Sequence, residues 1–299
     1  MGEVTSGSTT LLAALAAIPG HVLWRASARV GHLAERTLPT DVDLTAYAVL
    51  HALPRGVAAS QQTVADAVVV SRTTMTKVAV DLVASGLLAR VRNPEDRRSY
   101  LLSRTPAADL LLARWDDDLA ALDEAVLAPF DADRRVRLAH LLALLADDVL
   151  PEALPGAVRG SVSLLLVRLH AWLYREFQDL LAPLGIEPRH VGALTALTAL
   201  GPVSQAELAR GIGVSAASVV AIVDELEERG LVERRRVVGD RRTQEVHLTE
   251  PAPAVLAAAR TRGRRGARTA FAALPDGGLE ELLDLLRRFV TAEEDVSPG

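Results

Sequence analysis

The feature that most constrains this chain is that its middle occurs twice. Residues 71–105, SRTTMTKVAVDLVASGLLARVRNPEDRRSYLLSRT, return 144 positions later, without a gap, as SAASVVAIVDELEERGLVERRRVVGDRRTQEVHLT at 215–249. Ser71 falls on Ser215, Leu82 on Leu226, Gly86-Leu87 on Gly230-Leu231 and Arg90 on Arg234. Asp96-Arg97-Arg98 falls on Asp240-Arg241-Arg242, and Thr105 on Thr249. Upstream, Ser60 matches Ser204; the first copy then has a turn three residues longer, and helices 44–53 and 191–200 align at an offset of 147. Self-similarity at a fixed offset means one supersecondary unit used twice.

The repeat divides the chain into 1–150, a short helix-poor linker at 151–160 punctuated by Pro151, Pro155, Gly156 and Gly160, and 161–299. Only 3% of the residues are aromatic while 49% are hydrophobic, so the core is built from aliphatic stripes on helices. There is no cysteine, which excludes disulfides, thiolate metal sites and cysteine redox sensing. No uncharged apolar run is long enough for a membrane span. The run 11–24 lacks a basic start and is broken at Pro19-Gly20, so it reads as the opening of a helix and not a signal peptide, and the expected location is the cytoplasm. Net charge is −5, divided as −3 and −2 between 1–150 and 151–299. A nucleic-acid function therefore has to rest on local basic patches.

Each repeat reads as the same order of elements. A long first helix (about 11–36 and 158–183) precedes a second with apolar Leu44, Tyr47 and Leu50, or Val191, Leu194 and Leu197. The third is short and opens at Ser60 or Ser204; Ser204 and Glu207 have capping-box spacing, while Thr63 replaces the glutamate in the first repeat. The fourth is capped by Ser71 or Ser215, with expected buried stripes Met75, Val78, Leu82 and Val219, Ile222, Leu226, and ends at Gly86 or Gly230. A charged hairpin follows, 87–92 with 100–103 and 231–236 with 244–248, and two helices close each repeat.

Two helices joined by a tight turn, a glycine, then a hairpin with Asp-Arg-Arg at its tip resemble the MarR (multiple-antibiotic-resistance regulator) family, over nearly the whole chain, twice. The resemblance implies a mainly α fold with small β wings: two winged helix-turn-helix domains forming an intramolecular pseudo-dimer. Family members usually pair through their first and last helices, and fusion would make that pairing intramolecular. The family also implies duplex DNA as partner, a small aromatic or lipophilic ligand, no cofactor and no metal. The implied function is a ligand-responsive regulator, by family habit a repressor, acting as a monomeric chain.

In this architecture the fourth helix enters the major groove. Its outward positions in the first repeat are Arg72, Thr73, Thr76 and Lys77, residue types able to reach guanine edges or phosphates. The resemblance assigns Arg98 and Arg242 to the minor groove, where an arginine reads groove width, with Asp96 and Asp240 holding them. Arg90, Arg92 and Arg97, with Arg234, Arg235, Arg236 and Arg241, would neutralise phosphates. The Asp–Arg pairs would equally serve to stiffen the wing. The second repeat departs from the first: Ala216, Ala217, Val220 and Ala221 replace the four outward residues, and only Ser215 and Ser218 stay polar. Either the half-sites differ, or specific reading has weakened, or this apolar face meets a protein.

A second asymmetry lies in the fifth helix, which carries Asp116, Asp117, Asp118, Asp123 and Glu124 in one repeat and Arg260, Arg262, Arg264, Arg265 and Arg268 in the other. This is two solvated faces of opposite sign, a code for pairing between chains, or a basic patch for DNA backbone. The resemblance puts a ligand cavity among the first, second and fifth helices, where Trp24, Tyr47, His51, Trp115, His170, Trp172, Tyr174 and His190 lie; ordinary core packing is the alternative for each. No catalytic triad, phosphate loop or zinc spacing is present. The competing reading is a fold repurposed as a small-molecule-binding protein or an enzyme of specialised metabolism, with His51, His170 or His190 as acid or base.

Overall fold

The computed structural model describes residues 11–94, 96, 99–237 and 240–292, with side chains at all of these except Val237 and Asp240–Thr243. The first repeat runs α1 (Ala13–Ala16), α2 (Pro19–Thr37), α3 (Leu44–His51), β1 (Ala58–Ala59), α4 (Gln61–Ala67), α5 (Arg72–Ala84), β2 (Leu88–Arg92), β3 (Tyr100–Arg104), α6 (Pro106–Leu127) and α7 (Ala132–Val149). The second runs α8 (Gly156–Arg159), α9 (Val162–Leu181), a 3-10 turn (Ala182–Leu184), α10 (Pro188–Leu200), β4 (Val203–Ser204), α11 (Gln205–Ile212), α12 (Ala216–Glu228), β5 (Val232–Val237), β6 (Asp240–Leu248), α13 (Ala252–Ala270) and α14 (Gly278–Thr291).

Both long first helices are broken where single ones were expected. Pro19 has no N–H and clashes with a preceding helical turn, so α1 stops and α2 restarts with proline in its first position. The carbonyl of Ala16 freed at the break accepts from Arg287 Nε of α14 at 3.0 Å. In the second repeat the break falls at Gly160-Ser161, where Ser161 Oγ accepts from the amide of Leu164 at 3.2 Å and caps α9. The linker is also less helix-poor than its prolines suggest, because α8 lies within it.

The chain forms two compact units. One gathers the described residues of Met1–Ala26 and Leu173–Gly299; the other is Ser27–Trp172. These units follow packing and not the repeat order, because the first two turns of α2 go with the second repeat and the first half of α9 goes with the first. Within the first of these units, fully buried Leu15 shares one core with Leu181, Leu197, Leu208, Ile212, Val219 and Leu226.

Each repeat builds a three-stranded antiparallel sheet, in order β1-β3-β2 and β4-β6-β5. The two-residue edge strands β1 and β4 were not foreseen: Ala58 pairs with Ser103, and Val203 with Val246. Thr105 and Thr249, matched in the sequence, have one task. Each hydroxyl donates to the carbonyl of the glycine ending the fourth helix of its repeat, Gly86 at 2.8 Å and Gly230 at 2.6 Å. Those glycines sit at φ +70° and +66°, as the left-handed helix end requires.

The turn between the third and fourth helices needs the same backbone in both repeats. The second repeat supplies Gly213 at φ +85°; the first has Val69 at φ +56°, a β-branched residue in a region that disfavours it, retained with its side chain buried. A methyl at Gly213 would also meet the guanidinium of Arg25, whose Nη1 donates to Ile212 O at 3.3 Å. Gly213→Ala should therefore lower stability by about 1–2 kcal/mol, read as a shift in the chemical-denaturation midpoint. A midpoint equal to wild type would show that the turn tolerates a side chain as readily here as at Val69.

Candidate nucleic-acid interface

The helix pair expected to carry the reading element of the first repeat is set by two serine caps. Ser60 Oγ accepts from the amide of Thr63 at 3.0 Å to start α4, and Ser71 Oγ accepts from Thr74 at 3.1 Å to start α5. The face of α5 that turns inward is Met75, Ala79 and Leu82; Val78, expected in that stripe, is half-buried, so the helix is rotated slightly from the sequence reading. This leaves Arg72, Thr73, Thr76 and Lys77 all exposed, and with Val80 and Asp81 they line one open groove. Thr76 Oγ1 donates to the carbonyl of Arg72 at 2.9 Å, which leaves its oxygen lone pairs facing outward as acceptors.

The second repeat copies the scaffold and not the chemistry. Ser204 and Glu207 form the complete capping box, and Ser215 Oγ accepts from the amide of Ser218 at 3.1 Å. The Ser215 and Ser218 hydroxyls are 2.8 Å apart, so both expected polar contacts are engaged in the cap. Val219, Ile222, Val223 and Leu226 are buried, while Ala216, Ala217, Val220 and Ala221 are exposed.

The strand arginines differ too. Arg234 is only partly exposed and reaches back onto α12, pairing with Asp224 at 2.5 Å and with Glu227. The equivalent Arg90 is exposed, because the positions of Asp224 and Glu227 are Val80 and Val83 in the first repeat. Arg92, Arg235 and Arg236 are exposed, and Arg235 also pairs with Glu233. Asp96 is exposed; its carbonyl accepts from the amide of Ser99 at 3.0 Å. The expectations for Arg97 and Arg98 fall outside the described residues, as do those for the side chains of Asp240, Arg241 and Arg242.

The expected ligand residues fall in both units. In Ser27–Trp172, α3 packs on α6. There buried Tyr47 donates to Asp116 Oδ1 at 2.6 Å, and His51 Nε2 lies 3.4 Å from the same oxygen, its ring 4.4 Å from that of Tyr47. Burial, then Asp116, pushes the Tyr47 phenol up; burial pulls His51 down, opposed by Asp116. Trp115 is buried with no acceptor for its Nε1 among the described residues. His170 is pulled down to about 4 by burial, and Trp172 is half-buried. In the other unit the Trp24 ring lies 5.2 Å from that of His21, tilted by 54°, and packs on the core, and Tyr174 donates to Glu187 at 3.1 Å. His190 is fully buried: its Nδ1 accepts from the amide of Glu187 at 3.0 Å, and its Nε2 lies 2.8 Å from Glu225. That geometry commits both ring nitrogens to starting α10 and tying it to α12.

The acidic face of α6 is largely engaged. Asp116 holds Tyr47, Asp123 accepts from Ser161 and from the amide of Ser163, and Glu124 pairs with Arg135 at 2.8 Å. Among the described residues no group of three or more metal-ligating side chains converges, and no single helix is long and apolar enough to cross a membrane.

Residues 40–99 and 184–243, again 144 apart, each match the model of the MarR family. A protein of Thauera aromatica named "Putative transcriptional regulatory protein for hcr operon" is 28% identical over 151 residues, covering 50% of this chain and 91% of that protein. Among solved structures, a MarR-family transcriptional regulator from Rhodococcus sp. RHA1 is 26% identical, covering 44% of this chain and 94% of its own, with a TM-score of 0.41. CouR from Rhodococcus jostii RHA1, solved bound to p-coumaroyl-CoA, is 26% identical over 46% of this chain and 98% of its own, with the same TM-score of 0.41. With each winged helix-turn-helix repeat matched in turn, the chain is a tandem protein of the MarR family.

Proposed function

We propose that the chain is a ligand-responsive transcriptional regulator, acting as a repressor, that binds an asymmetric two-part site in duplex DNA as a single-chain pseudo-dimer. The observation that carries this reading is the contrast at equivalent, equally exposed positions: Arg72, Thr73, Thr76 and Lys77 on α5 against Ala216, Ala217, Val220 and Ala221 on α12. The first set offers charged and hydroxyl groups for base edges and phosphates; the second offers methyl groups. On this reading the repeats at 1–150 and 161–299 take one half-site each. The first supplies base recognition, and the second adds backbone contacts from Arg235 and Arg236. The ligand, a small aromatic or lipophilic molecule, is received among Tyr47, His51 and Trp115, where apolar rings carry polar tips.

The test is binding of the full chain to the DNA flanking its own gene, against random duplex, over a salt series. Affinity for the flanking DNA should exceed that for random duplex by about 10³-fold or more, and both should fall as salt rises. Equal affinity for the two duplexes at every salt concentration would end the regulator reading.

A further inference from the structure

Arg72 is the first residue of α5, and its guanidinium is not left to wander. Nε and Nη2 both donate to Gln62 Oε1 of α4, at 3.2 and 2.9 Å. Gln62 Nε2 in turn donates to Asp66 Oδ1, one turn further along α4, at 2.7 Å. A carboxylate only accepts, so it draws the NH₂ end of the amide to itself and leaves the amide oxygen for Arg72. Gln62 thus occupies the Nε–Nη2 edge of the guanidinium. The other edge, Nη1–Nη2, is left for the planar bidentate pairing that an arginine makes with O6 and N7 of guanine.

The second repeat supplies an internal comparison. The positions of Gln62, Asp66 and Arg72 hold Ala206, Arg210 and Ala216. The long arginine, the amide that holds it and the carboxylate that orients the amide are all absent together. The neighbouring scaffold is retained, with Ser60 and Ser204, and Ser71 and Ser215, capping the same helices.

We infer that Gln62, oriented by Asp66, is a positioning residue that presents one edge of Arg72 to a guanine in the first half-site. This rests on the regulator reading, because the guanine belongs to bound DNA. The physical basis is entropy: an exposed arginine has many rotamers, and holding it before DNA arrives removes part of the cost of ordering it in the groove.

The test uses the full chain and a duplex carrying its site, with the base pair changed at the position where Arg72→Ala relaxes discrimination. Gln62→Ala should reduce discrimination at that base pair by about two- to tenfold, the range that immobilising one rotamer-rich side chain is worth. Asp66→Ala should do so less, and Gln62→Ala should have no further effect in an Arg72→Ala background. Gln62 is exposed, so thermal stability should stay at the wild-type value. In the free protein, ¹⁵N relaxation of the Arg72 Nε–H should show greater mobility in Gln62→Ala, a readout that a purely structural glutamine would not move. A wild type that discriminates while Gln62→Ala matches it, or equal loss in the Arg72→Ala background, overturns the positioning role alone. A wild type with no discrimination at any base overturns the regulator reading, and the positioning role with it.

Discussion

Between pH 7.5 and pH 5 the folded chain should lose about 4 kcal/mol of stability, before its ordinary carboxylates begin to titrate. Two buried histidines carry this. Burial, reinforced by Arg25, pulls His21 from 6.5 to about 3, and burial alone takes His170 from 6.5 to about 4. Burial also lowers His51 and His190. A ring whose pKa is depressed on folding stays neutral in the folded chain while the unfolded chain takes up the proton. Its contribution is therefore complete above pH 6.5 and drains away as pH falls toward 4 for His170 and toward 3 for His21. The measurement is the chemical-denaturation midpoint at several pH values for wild type, His21→Leu, His170→Leu and the double variant. Each single change should flatten part of the pH dependence, whatever it does to absolute stability. Because His21 and His170 belong to different compact units, the two effects should add. A double variant with the full wild-type pH dependence would remove these rings from the account.

Much of the fold was legible because it is written in local rules that occur twice. Ser60, Ser71, Ser204 and Ser215 announce helix starts, and Gly86 and Gly230 announce ends, since few other residues suit those backbone positions. What escaped was longer in range or shorter in period. Strands β1 and β4 have two residues each, too few for any alternation to register. The packing of Leu15 with Leu197 and Ile212 is a tertiary choice, and a first helix with an apolar stripe does not declare which repeat it will cover. Of the candidate site, the exposure of Arg72, Thr73, Thr76 and Lys77 on α5 followed from the helical period, while the reading role expected of them came from the family resemblance. The clamp of Arg234 by Asp224 and Glu227 was missed, although the acidic i, i+3 pair on α12 signalled it. Gln62 was missed because a polar residue on a short helix is ordinarily surface; its signal was the joint change of three positions between repeats. His190 drew attention as a lone histidine, and the structure gives it a capping task that only the neighbouring Glu187 hinted at.

Arg72→Ala should erase discrimination in one half-site and leave the other untouched. A bidentate arginine–guanine contact is worth about 1–3 kcal/mol, roughly five- to 150-fold between the right and wrong base. Nothing on α12 duplicates it, since its exposed face is Ala216, Ala217, Val220 and Ala221 and its two serines are engaged with each other. Lys77→Ala should act differently, weakening binding to all sequences alike and shallowing the salt dependence, if its ammonium meets phosphate. The converse substitution sharpens the argument. Ala216→Arg places a guanidinium on α12 without a holder, because Ala206 has no amide and Arg210 brings like charge where the first repeat has Asp66. The gain at the second half-site should therefore be smaller than the loss that Arg72→Ala produces at the first. Adding Ala206→Gln and Arg210→Asp should bring the two closer to equality. The measurement is a set of duplexes with single base changes in each half-site, titrated with wild type and the four variants at one salt concentration, and with wild type and Lys77→Ala over a salt series. Equal effects of Arg72→Ala on both half-sites would mean that the two repeats read DNA alike, and the asymmetric site would have to be given up. A gain from Ala216→Arg alone as large as the Arg72 loss would instead keep the asymmetry and show that a reading arginine on this fold works without being held.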